Sequence, residues 1–435
     1  MYHFGIAFHN KKFGKVESAD IALNNLVVFV GNNNSGKTMI MQLIYGIKKE
    51  LEKFSVPLIG AKESDLNGQY LIRCDQDWFR EVELQINNYL SENKQRIIEE
   101  IFGMPISAEE IKVALEDTEA TYFVSSVSEY RSGDGEEQET GISINTIQYK
   151  NSKRAESFEK QIVDQNVLDN RLSAALKIVW SIILNEKPTS SSGQLFLTAS
   201  RSGLQLLYKH YFVGESYGDL VMPIEDFLRF LQLYSKDRQL EETRRDLLAF
   251  GEKHLLQGTI VQEGDETFYI DRYINKPISL HIASSMIHEL TPFIKALGAT
   301  QRIDWLYCDE VENSLHPLLQ REMARWVIRM ENAGIHVIIS SHSDTMASRL
   351  NNLFMLTQLN QRNPNYDLLS DLGLKDADLL RPNVKAEVYE FRSGKEGETL
   401  IEKLEFISNP LMGYDFQLFG SNLDKLYDEA DKITG

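Results

Sequence analysis

The chain has 435 residues, 42% of them hydrophobic, and a formal net charge of −18. That is enough apolar material for one large domain or two ordinary ones, and it excludes an intrinsically disordered chain. The charge argues against a protein that coats nucleic acid, because phosphate neutralisation supplies most non-specific affinity and this mean field repels DNA. A local basic patch stays open.

The first residues lack the apolar run of a signal peptide, and the longest tight apolar run is Leu26–Val30, far short of a bilayer span. Neither secretion nor membrane insertion is therefore expected. Cys74 and Cys308 are far apart and have no metal-ligand spacing, which fits a reducing cytoplasm and offers no disulfide or zinc framework.

In chain order, Phe4–Phe8 and Asp20–Leu23 alternate like short strands, and Leu26–Val30 reads as a fully buried strand. A glycine-containing loop, Gly31–Thr38, follows directly. Met39, Leu43, Ile47 and Leu51 then recur at helical spacing.

Residues from about 52 to about 190 carry no recognisable chemistry and are read as an inserted, mainly helical lobe. Helices are expected around Trp78–Phe102 and Arg154–Leu184, and strand-like stretches at Thr121–Ser128 and Ile142–Tyr149. Arg131–Gly141, with the acidic run Asp134–Glu139, looks like a solvated mobile loop. Lys187–Gly193 has the composition of a turn where the lobe rejoins the main domain. The expected division is thus 1–51, 52–190 and 191–435.

Beyond it, Gln194–Ser200 is strand-like, while Met222–Tyr234 and Glu241–Leu256 are helical. Gly258–Ile270 reads as a hairpin turning at Gly264–Asp265. Ser284–Leu297 and Pro317–Asn332 are amphipathic helices, and Trp305–Cys308 and His336–Ser340 are buried strands. Asp367–Asp378 reads as a leucine-rich acidic loop and Val384–Phe391 as an alternating strand. Strands alternating with helices make the fold α/β with a mostly parallel core sheet and an N-terminal antiparallel portion.

Three segments carry chemistry. Gly31-Asn32-Asn33-Asn34-Ser35-Gly36-Lys37-Thr38 fits G-x-x-x-x-G-K-[ST] between a strand and a helix. Its backbone N–H groups and the helix N-terminus suit phosphate oxygens. Lys37 is placed to bridge the β- and γ-phosphates of a nucleotide, and Thr38 to put its hydroxyl on Mg²⁺. Trp305–Glu310 is an apolar strand ending in two carboxylates: Asp309 suits the acidic metal contact and Glu310 a general base for water. Ser340–Asp344 follows another buried strand, and His342 there suits a sensor of the γ-phosphate.

Together these segments resemble the ABC-type heads of the SMC-like and OLD-like (overcoming lysogenization defect) ATPases, with the match covering the start of the chain and residues from about 194 onward. Asn313–Pro317 resembles the dimer-contacting D-loop, its Leu-His-Pro form pointing to the OLD-like branch. Leu197–Gly203 resembles a stretch of the same branch, in which Arg201 is either a nucleotide contact or an ordinary surface charge. Where most heads have a Ser-Gly-Gly signature, this chain has Ala283-Ser284-Ser285-Met286. Ser284 and Ser285 are either the residues that cap a partner's nucleotide or simple N-cap residues.

The resemblance implies a P-loop ATPase head that uses ATP and Mg²⁺ and pairs with a second copy of itself to hydrolyse. No membrane partner is implied. By the same resemblance it regulates a separate effector, a nuclease or toxin, as in PARIS-like and Septu-like antiphage systems. A head acting directly on DNA in repair, without an effector, is the alternative, and a nucleotide-dependent scaffold a third.

Overall fold

The computed structural model describes residues 5–54, 61–63, 69–116, 121–132, 139–150, 153–162, 171–184, 186, 193–211, 220–264, 266–382, 384–417 and 432. Its centre is a nine-stranded sheet. The strands are β10 (Gln194–Leu197), β14 (Trp305–Cys308), β15 (His336–Ser341), β3 (Leu26–Gly31), β16 (Ala386–Ser393), β17 (Thr399–Lys403), β2 (Val16–Ala22), β1 (Gly5–Phe13) and β6 (Glu110–Glu116), in that spatial order. The run from β10 to β16 is parallel throughout, as is β17 on β2. The pairs β16–β17, β2–β1 and β1–β6 are antiparallel. The protein is therefore α/β, with a mixed, mostly parallel sheet and N-terminal antiparallel strands.

Every residue of β3, β10, β14 and β15 is buried, which is why these segments are continuously apolar instead of alternating. Period-two geometry divides their side chains between two cores. Val27, Phe29, Trp305, Tyr307 and Ile338 enter one, while Leu26, Val28, Val30, Leu306, Cys308, Val337 and Ile339 enter the other.

The first core is covered by α1 (Lys37–Lys53), α2 (Gln76–Phe102) and α3 (Arg171–Ile183). The second is covered by α5 (Met222–Leu233), α6 (Glu242–Gly251), α7 (Ser285–Gly298), α8 (Pro317–Asn332) and α9 (Asp344–Arg362). The shorter α4 (Arg201–Tyr211) and α10 (Tyr366–Asp371) flank this side. No helix among the described residues is long and apolar enough to cross a membrane.

The segment 52–190 departs from the mainly helical expectation. It contains a five-stranded antiparallel sheet of β4 (Ala61–Glu63), β5 (Gln69–Cys74), β7 (Thr121–Ser132), β8 (Glu139–Lys150) and β9 (Lys153–Ile162), beside α2 and α3. β9 occupies residues expected to begin a helix. Its Lys, Glu and Gln favour helix locally, but pairing along β8, with Thr146 opposite Phe158, overrides that weak preference and lets Phe158 pack on the core. β6, from the same segment, returns to the edge of the main sheet beside β1.

The acidic residues Asp134–Gln138, the turn 187–192 and Asp265 lie outside the described residues. The hairpin around Asp265 is described by β11 (Gly258–Glu263) and β12 (Glu266–Asp271), which with β13 (Pro277–Ser279) form a small sheet. The α-helix expected to run to Leu256 ends at Gly251 and widens into a π-helical turn, Glu252–Leu256. The acidic stretch Asp367–Asp378 is α10 followed by a 3-10 turn instead of a loop. Asp378, fully buried, accepts from Arg325 at 2.9 Å and Arg329 at 2.7 Å, which is what draws that turn onto α8.

α1 is held to the 52–190 segment at several points. Trp180 Nε1 of α3 donates to Leu51 O at 2.6 Å, and buried Lys48 pairs with Glu186 just beyond α3. On α1, a Cβ at Gly46 would lie 2.2 Å from Cγ1 of buried Ile101 on α2. Replacing Gly46 with Val will lower stability by about 1–3 kcal/mol, because overpacking outweighs the small gain in helix propensity. A lowered urea midpoint checks this; an unchanged midpoint refutes the close α1–α2 packing.

Candidate nucleotide site

Parallel register brings the carboxyl ends of β3, β14 and β15 together, with Ser340 and Ser341 opposite Phe29 and Val30, and Ile339 opposite Cys308. Ligands of open α/β sheets bind at such an edge. The loop leaving β3 requires glycine at two places. A Cβ on Gly31 would sit 2.6 Å from Phe391 O, and Gly36 takes φ 91 as the N-cap of α1. Asn34 also has positive φ, 59, which Asn tolerates better than most residues. Gly36 provides no side-chain cap, so the first amides of α1 remain available as anion donors.

The loop wraps its own lysine. Lys37 Nζ donates to Gly31 O and Asn32 O, both at 2.8 Å, and to Ser35 Oγ at 3.3 Å. Burial pushes the Lys37 ammonium below its ordinary value, and the charges of Asp309, Glu312 and Glu310 oppose that shift. Next to it, Thr38 Oγ1 donates to Asp309 Oδ2 at 2.7 Å, and Ser340 Oγ donates to Asp309 Oδ1 at 2.5 Å. Ser340 Oγ in turn accepts from Glu310 N at 2.9 Å. One buried serine thus fixes both acidic residues.

A cavity of about 350 Å³ opens over this junction, lined by Asn33, Asn34, Ser35, Gly36, Lys37, Thr38, Met39, Asp309, Glu310 and Lys15. Glu310 has φ 48, a left-handed backbone uncommon for glutamate and characteristic of functional positions. His342 is not a lining residue; it is exposed and stands beside Glu310, its Nδ1 3.9 Å from Glu310 Oε1 and 3.2 Å from Glu312 Oε1. Glu312, only 4% exposed, also accepts from His342 N at 2.7 Å. It holds the histidine beside Glu310.

The structure places three other expected residues elsewhere. Arg201 is neither a surface charge nor a lining residue of the cavity. Its side chain is 1% exposed and lies beneath the end of β14, donating to Asp309 O at 2.8 Å and Glu310 O at 3.1 Å. Ser284 and Ser285 are exposed at the N-terminus of α7 and do not line this chain's cavity; Ser284 is the N-cap residue but makes no side-chain cap bond.

Lys15 was not singled out from the sequence. It sits in the tight β1–β2 turn after Gly14, and its Nζ donates to Asn34 Oδ1 at 3.3 Å. No local spacing connects it to the loop; only the antiparallel strands folding back on the sheet do so.

A strand, a phosphate-cradling loop, a helix N-terminus and an acidic strand end in one cavity define a P-loop nucleotide-binding protein of α/β fold. Residues 9–245, more than half of the chain, match the family described as "AAA ATPase domain", and the chain belongs to that family, which implies that it binds ATP. Residues 276–347 match a second family, described as "AAA domain, putative AbiEii toxin, Type IV TA system".

No curated protein matches the chain. Among solved structures it is similar to an SMC head bound to the C-winged helix domain of ScpA, at 9% identity and TM-score 0.39, covering 94% of this chain and 99% of that one. It is similar also to an SMC head domain from Thermotoga maritima, at 10% identity and TM-score 0.35, covering 93% and 100%. A third is an Smc head with an extended coiled coil bound to the C-terminal domain of ScpA derived from Pyrococcus furiosus, at 10% identity and TM-score 0.38, covering 100% of both chains. Likenesses this distant leave the assignment resting on the family match.

Replacing Ser340 with Ala removes a donor from buried Asp309 and the acceptor of Glu310 N. Stability should fall by about 1–3 kcal/mol in chemical denaturation. An unchanged midpoint would mean the serine does not hold the two acids together.

Proposed function

We propose that the chain hydrolyses Mg-ATP in this cavity, in a catalytic unit of two copies, and thereby controls a separate effector protein. The observation that carries the chemical part is the Thr38–Asp309–Ser340–Glu310 junction, which sets a metal-suited pair of oxygens and a free carboxylate beside the phosphate loop. Asp309 and Thr38 fit Mg²⁺: their oxygens are hard, close together and few. No cluster of three His, Cys, Asp or Glu side chains forms a metal cage among the described residues, which suits an ion completed by waters and substrate phosphates. When bound, the ion would neutralise charge developing on the phosphates.

In this reading Lys37 and the loop amides bind the β- and γ-phosphates, and Lys15 adds a second cation from the side. A water oxygen attacks the γ-phosphorus as the bond to the β–γ bridging oxygen breaks, and the water's proton passes to Glu310. His342, oriented by Glu312, hydrogen-bonds the γ-phosphate. Ser284 and Ser285 of a second copy close the cavity from above. Their exposure at a helix N-terminus, and the exposed Leu318 just after the D-loop-like Asn313–Pro317, support a face kept for another chain.

The segment 52–190, set between the two parts of the head, is the surface proposed to meet the effector, a nuclease or toxin in antiphage defence of the PARIS-like or Septu-like kind. The second family description, with its toxin system, supports that setting.

Replacing Glu310 with Gln tests the reading. Turnover should fall by about 100-fold or more while ATP binding persists, since general-base catalysis contributes about 10²–10⁴. The ATP-bound variant should sediment as a dimer. A variant that hydrolyses at the wild-type rate, or stays monomeric when saturated with ATP, contradicts the proposal.

A further inference from the structure

Arg201 and Glu289 form a buried ion pair at the meeting point of three elements, Nε to Oε2 2.8 Å, with side chains 1% and 3% exposed. The rest of the guanidinium is spent on main chain. Nη1 donates to Asp309 O at 2.8 Å and Thr198 O at 3.1 Å, and Nη2 to Glu310 O at 3.1 Å. The ring of Phe293 lies 5.6 Å away, so the cation is also packed against an aromatic face.

This arrangement acts on Glu310 through its backbone. Asp309 N donates to Leu197 O at 2.9 Å, and Glu310 N to Ser340 Oγ, also at 2.9 Å. With Arg201 on both carbonyls, all four main-chain polar groups of the Asp309–Glu310 dipeptide are tied down, and Glu310 is held at φ 48. A lysine could satisfy the charge of Glu289, but it has no planar fork to span two successive carbonyls.

The other end of the pair leads to the second nucleotide. Glu289 is four residues along α7 from Ser285, one turn beneath it on the same face. α4 is bonded to α7 a second time, by Gln205 Nε2 donating to His288 O at 2.5 Å. The turn before α4 also reaches the D-loop-like segment, where Asn313 Nδ2 donates to Ala199 O at 3.1 Å. Burial raises the Glu289 carboxyl above its usual range, and the charge of Arg201 opposes that shift.

Resting on the two-copy hydrolysis proposed above, we infer that Arg201 and Glu289 are positioning residues that couple the two nucleotide sites: a γ-phosphate of the partner copy engaged at Ser284 and Ser285 sets, through α7, Glu289 and Arg201, the backbone that aims Glu310 at this copy's own water. Phosphate occupancy at one site is thus read as general-base geometry at the other.

The test is steady-state ATP hydrolysis by the full-length protein, with nucleotide binding measured separately using a fluorescent ATP analogue, for wild type, Glu289→Gln, Glu289→Asp and Arg201→Lys. Glu289→Gln keeps the volume and removes the charge. Its kcat should fall about tenfold and its Hill coefficient drop from about 2 to about 1, with affinity changed less than about twofold; coupling energies between sites are commonly of this size. Glu289→Asp should recover part of the cooperativity, and Arg201→Lys should lose more turnover than Glu289→Gln. Should Arg201→Lys not fold, the two Glu289 variants decide. Unchanged kcat and Hill coefficient in Glu289→Gln, with an active wild type, overturn the coupling alone, as does a loss of affinity matching the loss of kcat. A wild type without ATP turnover overturns the hydrolysis reading and this inference with it.

Discussion

Everything at this site depends on one buried carboxylate. Asp309 ends a strand whose preceding residues are wholly apolar, and its two oxygens accept from Thr38 on α1 and Ser340 on β15. Those bonds lock three sheet-edge segments that are far apart in sequence. Ser340 passes the constraint on to Glu310 N, and Arg201 clamps the carbonyls on the other side. A carboxylate in the interior is costly unless every oxygen is paired, so the same partners that make Asp309 tolerable also fix the geometry around it. The parallel register of β3, β15 and β14 makes the arrangement possible, since a slip of one residue would turn Asp309 into a core face.

What the sequence makes legible follows from how local the signal is. Gly31–Thr38 could be read because strand, loop and helix are consecutive, and Trp305–Glu310 because two acids at the end of an apolar run stand out. The strands Trp305–Cys308 and the helix Pro317–Asn332 have the limits their patterns suggest. Arg201 was harder, because the atoms it serves are main-chain carbonyls 108 and 109 residues away, which no side-chain pattern encodes. Lys15 and Glu312 act through contacts made only once the sheet is assembled. β9 forms against its local signal, because charged residues with helical preference sit on a strand whose pairing with β8 decides the outcome.

The segment 52–190 is more closely joined to the head than its lack of motifs suggests. β6 extends the main sheet, α2 and α3 share a core with α1, and Lys48 meets Glu186 within the interior. Because α1 begins at Lys37, a partner that shifts these contacts acts on the helix that the Gly31–Thr38 loop leads into. That gives the proposed effector surface a physical route to the nucleotide, through packing and buried charge instead of a flexible linker.

In the proposed mechanism one chain builds only part of the catalytic site. The specific ATPase activity at saturating Mg-ATP, measured across a wide range of protein concentrations, decides this. A two-chain catalytic unit predicts activity per chain that rises with concentration and then saturates as dimers fill. Appreciable activity that stays constant down to concentrations where sedimentation shows only monomers would contradict it.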